Sequence, residues 1–362
     1  MSKASGVNAV RLEFAVGAQA IANLSGAAMS NDWLWVAGDE TSQVHRLRRL
    51  EPLANERLRL GKARTFALAD LMKLPGRPDD EADIEGIAIA DGYLWLIGSH
   101  GLKRPNIKPE SISPKDARRL AKPSLDGNCR LLARLPLQTA ADGQPELVAK
   151  AKDGRCALRL KGNANSNELT DLLASDPHLG PFMAIPGKDN GFDIEGLAVN
   201  GARLLLGLRG PVLRGWSVLL EIAVEQRAKH LRLMALDDQG TQLRKHFILL
   251  DGLGVRDLHF CDDDLFILAG PTMVLDGDIR IYKWSNARSQ LAANLEAQRF
   301  VPTLKELATL PHGRGIDRAE AFCELPPELA GNHPQWLVLY DAPGASRKMG
   351  KRVVYGDLLR HD

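Results

Sequence analysis

The chain of 362 residues has almost no net charge, 47 Lys plus Arg against 45 Asp plus Glu leaving +2. No global field draws it to nucleic acid or to a membrane surface, so neither is expected as a partner. Cysteine is sparse. Cys129, Cys156, Cys261 and Cys323 are scattered, with no C-x-x-C and no His at metal-ligand spacing. Cys261 and Cys323 fall in strand-like runs and read as buried thiols. The start, Met1 to Val10, has Lys3 but no apolar h-region, so no secretory signal is read. No apolar run approaches the roughly 18 residues that a membrane helix needs. A soluble, cytoplasmic protein is the expectation. Also missing are G-x-S-x-G, a P-loop, G-x-G-x-x-G, H-E-x-x-H and any RNA-binding aromatic platform. No helix of adequate length separates the apolar runs, which disfavours a doubly wound α/β fold.

What the chain does contain is a repeat. Asp193-Ile194-Glu195-Gly196-Leu197-Ala198-Val199 occurs almost unchanged as Asp83-Ile84-Glu85-Gly86-Ile87-Ala88-Ile89. Weaker copies are Asn23 to Ala27, Gly254 to Leu258 and Arg318 to Phe322. Each is followed by a second apolar run: Trp33 to Ala37, Leu94 to Ile97, Leu204 to Leu208, Leu265 to Ala269 and Trp336 to Tyr340. With Ser25, Glu85, Glu195, Arg256 and Glu320 as equivalents, the steps from one to the next are 60, 110, 61 and 64 residues. Two interruptions account for the long step. Residues 101–127 carry four prolines and seven Lys or Arg, with a short helix expected over 114–120; residues 161–186 hold a second short helix over 167–174, capped by Asn and Ser. Both read as insertions over or beside the second unit. A degenerate sixth unit within 128–190 is the alternative.

A four-stranded unit repeated at about 60 residues is the pattern of an all-β propeller, because a lone sheet exposes both faces and ring packing buries them. Residues 1–362 read as one such domain. Five blades are expected, six on the alternative. In the third unit, residues 194–199, 203–208, 217–224 and 231–236 are expected to be its four strands. Residues 10–16 alternate apolar and polar and lack a partner, while the last unit is one strand short. Pairing the two would close the ring and remove two exposed edges.

Two D-I-E-G-[LI]-A copies, each opening a blade and followed by a hairpin, resemble an uncharacterised bacterial β-propeller family, a domain of unknown function. They are also similar to the propeller family described as having esterase-like activity of phytase. Asp83, Glu85, Gly86, Asp193, Glu195 and Gly196 match fully. Ser25 and Arg256 depart from the Glu position. The resemblance spans about residues 20–355 and implies the fold, with hydrolysis as an expectation.

In a propeller the first strand of each blade lines the channel, and the second returns to the same mouth. Ser25, Glu85, Glu195, Arg256 and Glu320 should therefore meet, joined by Asp39, Glu40, Ser99, His100, Arg209 and Asp341 from the returning ends. Three carboxylates and one arginine leave about −2 on the ring. Such carboxylates share protons, bind a cation or pair with a base. Glu85, Glu195, Glu320, Asp83 and Asp193 are the candidate ligands for Ca²⁺ or Mg²⁺; no organic cofactor is expected. Alternatively Arg256 neutralises Glu195 and Glu320, and Glu85 accepts backbone N–H groups. The candidate catalytic set is Glu85, Glu195, His100 as proton carrier, and Arg209 and Arg256 as charge stabilisers. Arg77, Lys188, Arg314 and Arg318 in the entering loops could receive an anionic group. The reading is a metal-assisted hydrolase of a small anionic ester or phosphoester. Its rival is a non-catalytic scaffold with a structural Glu–Arg ring or a structural ion. Trp33, Trp35 and Trp95 read as packing residues. Oligomeric state and substrate are not legible.

Overall fold

The computed structural model describes residues 9–15, 21–331 and 333–360. It is all-β. A first strand, β1 (Val10–Glu13), precedes a group of four: β2 (Leu24–Ser30), β3 (Trp33–Gly38), β4 (Gln43–Leu50) and β5 (Leu58–Ala67). The second group is β6 (Ile84–Ala90), β7 (Tyr93–Gly98), β8 (Leu132–Thr139), β9 (Pro145–Leu147) and β10 (Leu158–Arg159). The third is β11 (Asp193–Asn200), β12 (Arg203–Gly210), β13 (Trp216–Arg227), β14 (His230–Met234) and β15 (Arg244–Leu249). Then come β16 (Gly254–Cys261), β17 (Asp264–Gly270), β18 (Ile279–Trp284), β19 (Gln298–Val301) and β20 (Lys305–Leu310). Last are β21 (Arg318–Glu324), β22 (Gln335–Asp341), β23 (Lys348–Met349) and β24 (Val353–Arg360).

The groups are built of antiparallel pairs, β16-β17-β18-β20 being the plainest case, while in the second group β9 and β10 both pair with β8. The first strands pack side by side: β2 against β6, β6 against β11, β11 against β16, β16 against β21, and β21 against β2. The strand expected over 10–16 pairs antiparallel with β24, Val10 opposite Gly356, and parallel with β5, Val10 opposite Leu58. The first and last groups thereby share one nine-stranded sheet. Val16 lies outside the described residues.

The third group departs from the strands expected for it. β13 is 12 residues long: its first half pairs with β15 (Trp216 opposite Leu249) and its second half with β14 (Arg227 opposite His230). Residues 231–236 are therefore a side hairpin. The fourth position in the sheet belongs to β15, whose far side takes β19 in parallel.

The second strand of each group is apolar without a break, and its neighbours explain why. In β7, Tyr93, Trp95 and Ile97 enter a core shared with the third group, while Leu94 and Leu96 enter one shared with the first. The same alternation divides Leu204, Leu206 and Leu208 from Leu205, Leu265 and Ile267 from Phe266 and Leu268, and Leu337 and Leu339 from Trp336 and Val338. Successive side chains of a strand point to opposite faces, so a strand covered on both sides needs apolar residues at every position. Leu34 and Val36 share a core with Leu337 and Leu339, which links the first and last groups. Trp35 and Trp95 are buried packing residues, as expected, and Trp33 is half-buried beneath the Arg46 guanidinium.

The turns follow local chemistry. Asp91 and Gly92 both have positive φ (51° and 74°), the type I′ geometry that connects β6 to β7. The helix Glu168–Ala174 is capped by Asn167, which accepts from Thr170 N and gains the reciprocal Thr170 contact. This segment packs between the second and third groups, with Leu169, Leu173 and Leu179 buried in the core the two share. The shorter helix Asp116–Leu120 falls within the basic segment 101–127.

Candidate functional site

Each first strand carries a β-bulge at the same point. The register shifts fall between Leu24 and Gly26, Ile84 and Gly86, Ile194 and Gly196, Val255 and Asp257, and Ala319 and Ala321. The inserted residues are Ser25, Glu85, Glu195, Arg256 and Glu320, and all are buried. A bulge leaves one residue unpaired and re-aims its side chain, so the repeat aligned by sequence is a repeat of backbone irregularity. Close approach of the strands fixes the next position: a Cβ on Gly86 would stand 3.0 Å from the Glu195 carbonyl oxygen and 3.0 Å from Leu197 Cβ. In the fourth group Asp257 takes that place. Its buried carboxyl accepts from Phe322 N of the neighbouring strand at 3.0 Å, and burial holds its pKa well above the ordinary carboxyl range.

The charges divide into two halves. In one, Arg209 pairs with Asp193 and, through Nη1, with Glu195 Oε1 at 2.6 Å. Arg256 Nη1 lies 3.2 Å from Glu195 Oε2 and 2.5 Å from Glu320 Oε1, and its Nη2 donates to Pro271 O at 2.8 Å. Arg256 thus bridges Glu195 and Glu320. Burial pushes Glu195 up to about 7, against Arg209 and Arg256, and also raises Asp193. Arg209, flanked by Asp193 and Glu195, is raised further above its usual range despite its burial.

The other half is acidic with less compensation, Lys103 being its one ion-paired cation among the described residues. One carboxylate oxygen from each of Asp39, Asp83 and Glu85 lies within 4.8 Å of the other two. Ser99 Oγ donates to Asp83 Oδ2, and Lys103 Nζ is 3.0 Å from Asp83 Oδ1. Ser25 turns away, donating to the Ile84 carbonyl at 2.5 Å. Burial, then Glu320, Asp83 and Asp341, push Asp39 up to about 8, and burial, then Asp83 and Glu195, hold Glu85 well above its ordinary value. Asp341 rises to about 6, chiefly by burial and then Glu320.

Several expectations change. The five carboxylates read as one ligand set, Glu85, Glu195, Glu320, Asp83 and Asp193, do not act alike: the two arginines engage Asp193, Glu195 and Glu320. Arg209 and Arg256 are correspondingly occupied and buried, not held open for an anion. Glu85 has no backbone N–H donor among the described residues. His100 is buried, its Nδ1 2.8 Å from Gly98 O and its Nε2 2.9 Å from Asn167 Nδ2. Burial lowers its pKa to about 4, and both ring nitrogens are engaged, one of them by the helix cap Asn167. Of the four loop cations, Arg77 is exposed and pairs with Asp80 in its own turn. Arg314 is exposed. Lys188 opposes the rise of Asp39, Asp193 and Asp341, and Arg318 that of Asp341, so these two do face the acids.

Lys103 and Asp257 were not read as site residues, Asn167 was read only as a helix cap, and Asp39 was placed at this mouth without being read as a ligand. The position of Asp39 just after the returning strand was the available signal. A cleft of about 550 Å³ lies elsewhere, at the hairpin ends between the first and second groups, lined by Trp33, Thr139, Lys152 and Arg155.

Fold and site define an all-β protein of repeated groups of antiparallel strands with an ionisable cluster where their first strands begin. The chain belongs to the family described as "Protein of unknown function (DUF3616)", which matches residues 23–357. No curated protein matches the sequence. Among solved structures, an exo-1,5-alpha-L-arabinanase from a bovine ruminal metagenomic library is 8% identical, covering 95% of this chain and 99% of that one at a TM-score of 0.37. The computationally designed Ika8 protein is 11% identical, covering 97% of this chain and 100% of its own at 0.30. A GH32 beta-fructofuranosidase from Bombyx mori is 12% identical, covering 94% and 61% at 0.33. Likenesses this distant carry no argument about function. No helix among the described residues is long and apolar enough to cross a membrane.

Proposed function

We propose that the five groups of strands are blades of a closed propeller forming a single domain, and that its mouth is the site of a metal-assisted hydrolase acting on a small anionic ester or phosphoester. The cyclic packing of β2, β6, β11, β16 and β21 supports the ring. The observation that carries the functional reading is the unequal neutralisation of the mouth: acids tied to arginines on one side, acids left in excess on the other. A divalent ion on the acidic side would polarise the ester or activate water. Lys188 and Arg318, which face the acids, would attract the substrate's negative charge. The arginine-bound half would serve as the rigid wall. The resemblance to phytase-like esterases motivates the same reaction class.

The test is a screen of the full chain against carboxylic and phosphoric esters with Ca²⁺, Mg²⁺ or Mn²⁺. Turnover that requires the ion and is lost in Glu85→Gln supports the reading. Absence of turnover with every ion refutes it. One observation favours a second reading, a binding scaffold: the buried chain Arg209–Glu195–Arg256–Glu320 is what a purely structural ring would contain.

A further inference from the structure

Glu85 is 9% exposed, and among the described residues its carboxylate has no hydrogen-bond or ion-pair partner. Asp39 Oδ1 is likewise buried and unpartnered. An ionised carboxylate out of water is costly unless something compensates it. Both face Asp83, whose two oxygens are taken, Oδ2 by Ser99 and Oδ1 by Lys103. Lys103 Nζ also lies 2.9 Å from Asp126 and 3.2 Å from Glu81. The ammonium therefore sits at the edge of the cluster, with two other carboxylates to hold it when Asp83 is withdrawn.

We propose that Asp39, Asp83 and Glu85 form a binding site for a hard divalent cation, Ca²⁺ or Mg²⁺, and that Lys103 is a built-in competitor displaced from Asp83 when the ion enters. The site rests on the reading of the mouth given above and narrows it, since Asp39 enters the ligand set while Asp193, Glu195 and Glu320 leave it. All three donors are oxygens, which suits these ions and not softer ones. Two unpartnered carboxylates offer free lone pairs, and the third becomes available by exchange. An ammonium and a divalent ion held against the same carboxylate repel, so occupancy by one disfavours the other. Lys103 pairs through its backbone with Ser124, N–H to carbonyl at 2.8 Å in both directions, so its release acts at the root of the basic segment 101–127.

Calorimetric titration of the full chain with CaCl₂ and, separately, MgCl₂ tests this. One ion per chain is expected, with affinity rising about tenfold or more in Lys103→Gln, where the competing charge is gone. Affinity should fall by at least about tenfold in both Glu85→Gln and Asp39→Asn, each checked for unchanged far-ultraviolet circular dichroism. No ion binding in either the unmodified chain or Lys103→Gln overturns the site. Unchanged affinity in Lys103→Gln overturns the competition, and full affinity in both carboxamide variants overturns the ligand assignment. Ion binding with this mutational pattern but no ester turnover refutes the hydrolase alone.

Discussion

Arg209→Met removes a charge and its donors while keeping most of the apolar stem. In the folded chain Arg209 is 7% exposed between Asp193 and Glu195. Without it Glu195 retains Arg256 at 3.2 Å, whereas Asp193 loses the ion pair given by Arg209. Removing one partner from a buried pair costs about 3–5 kcal/mol, because the other charge stays out of water. The pH dependence follows from the direction of the shifts. Glu195 stands at about 7 in the fold, above its ordinary 4.5, and Asp193 is raised too. A carboxyl raised in the fold keeps its proton where the unfolded chain has released it, so stability falls as pH climbs through that window. Loss of Arg209 moves both groups higher and extends the fall. Urea unfolding at pH 5.5 and 8.5 should therefore show a larger deficit for Arg209→Met at the higher pH, by about 1.4 kcal/mol for every further tenfold weakening of either carboxyl as an acid. Adding Glu195→Gln should recover part of the loss. A deficit equal at the two values, or one below about 1 kcal/mol at pH 8.5, would refute the reasoning.

Burial also lowers His100 to about 4 from its ordinary 6.5. The unfolded chain binds the extra proton first, so this group's contribution is complete above about 6.5 and is lost as pH falls toward 4; melting at pH 7, 5.5 and 4.5 should show a smaller acid loss in His100→Gln than in the unmodified chain. Deleting residues 1–15 removes β1, with its buried Val10 and Leu12, and the buried Phe14 just after it, and leaves β5 and β24 with unpaired edges. At about 1.5–3 kcal/mol for each buried side chain the deletion should lower the melting temperature sharply and produce soluble aggregates on size-exclusion chromatography; a monomeric product melting with the full chain would argue against β1 as the seam.

The repeat was legible because a bulge constrains sequence. In Ile84-Glu85-Gly86 an apolar residue precedes the inserted one, and a residue without a side chain follows where the next strand crowds in. Asp257 broke the pattern at that crowded place, and a short motif gives no sign that a carboxyl there would reach Phe322 N. Arg256 was correctly read as the neighbour able to neutralise both Glu195 and Glu320, because strand order alone sets that adjacency. The buried setting of His100 was not legible, because its contact comes from far along the chain. Its partner Asn167 lies 67 residues away, in a segment read as an insertion. β15 was not read as the fourth strand of its sheet because β13 is long enough to serve two partners, and nothing in the apolar pattern of 217–224 marks where one ends and the other begins.

The order of residues around the first strands decides which acid is left over. Glu195 lies between the second and fourth groups and draws on Arg209 and Arg256; Glu320, on the far side of Arg256, shares that arginine. Glu85 has Ser25 on one side, a hydroxyl committed to the Ile84 carbonyl, and on the other Glu195, whose cations are already engaged. The cation nearest its cluster is Lys103, and that ammonium is bonded to Asp83, not to Glu85. Five equivalent bulges holding serine, glutamate, glutamate, arginine and glutamate thus leave acids tied to arginines on one side and acids in excess on the other. A cation at the first bulge would have offset part of that charge, so the serine there, its hydroxyl committed to the Ile84 carbonyl, is what leaves the Glu85 side acidic.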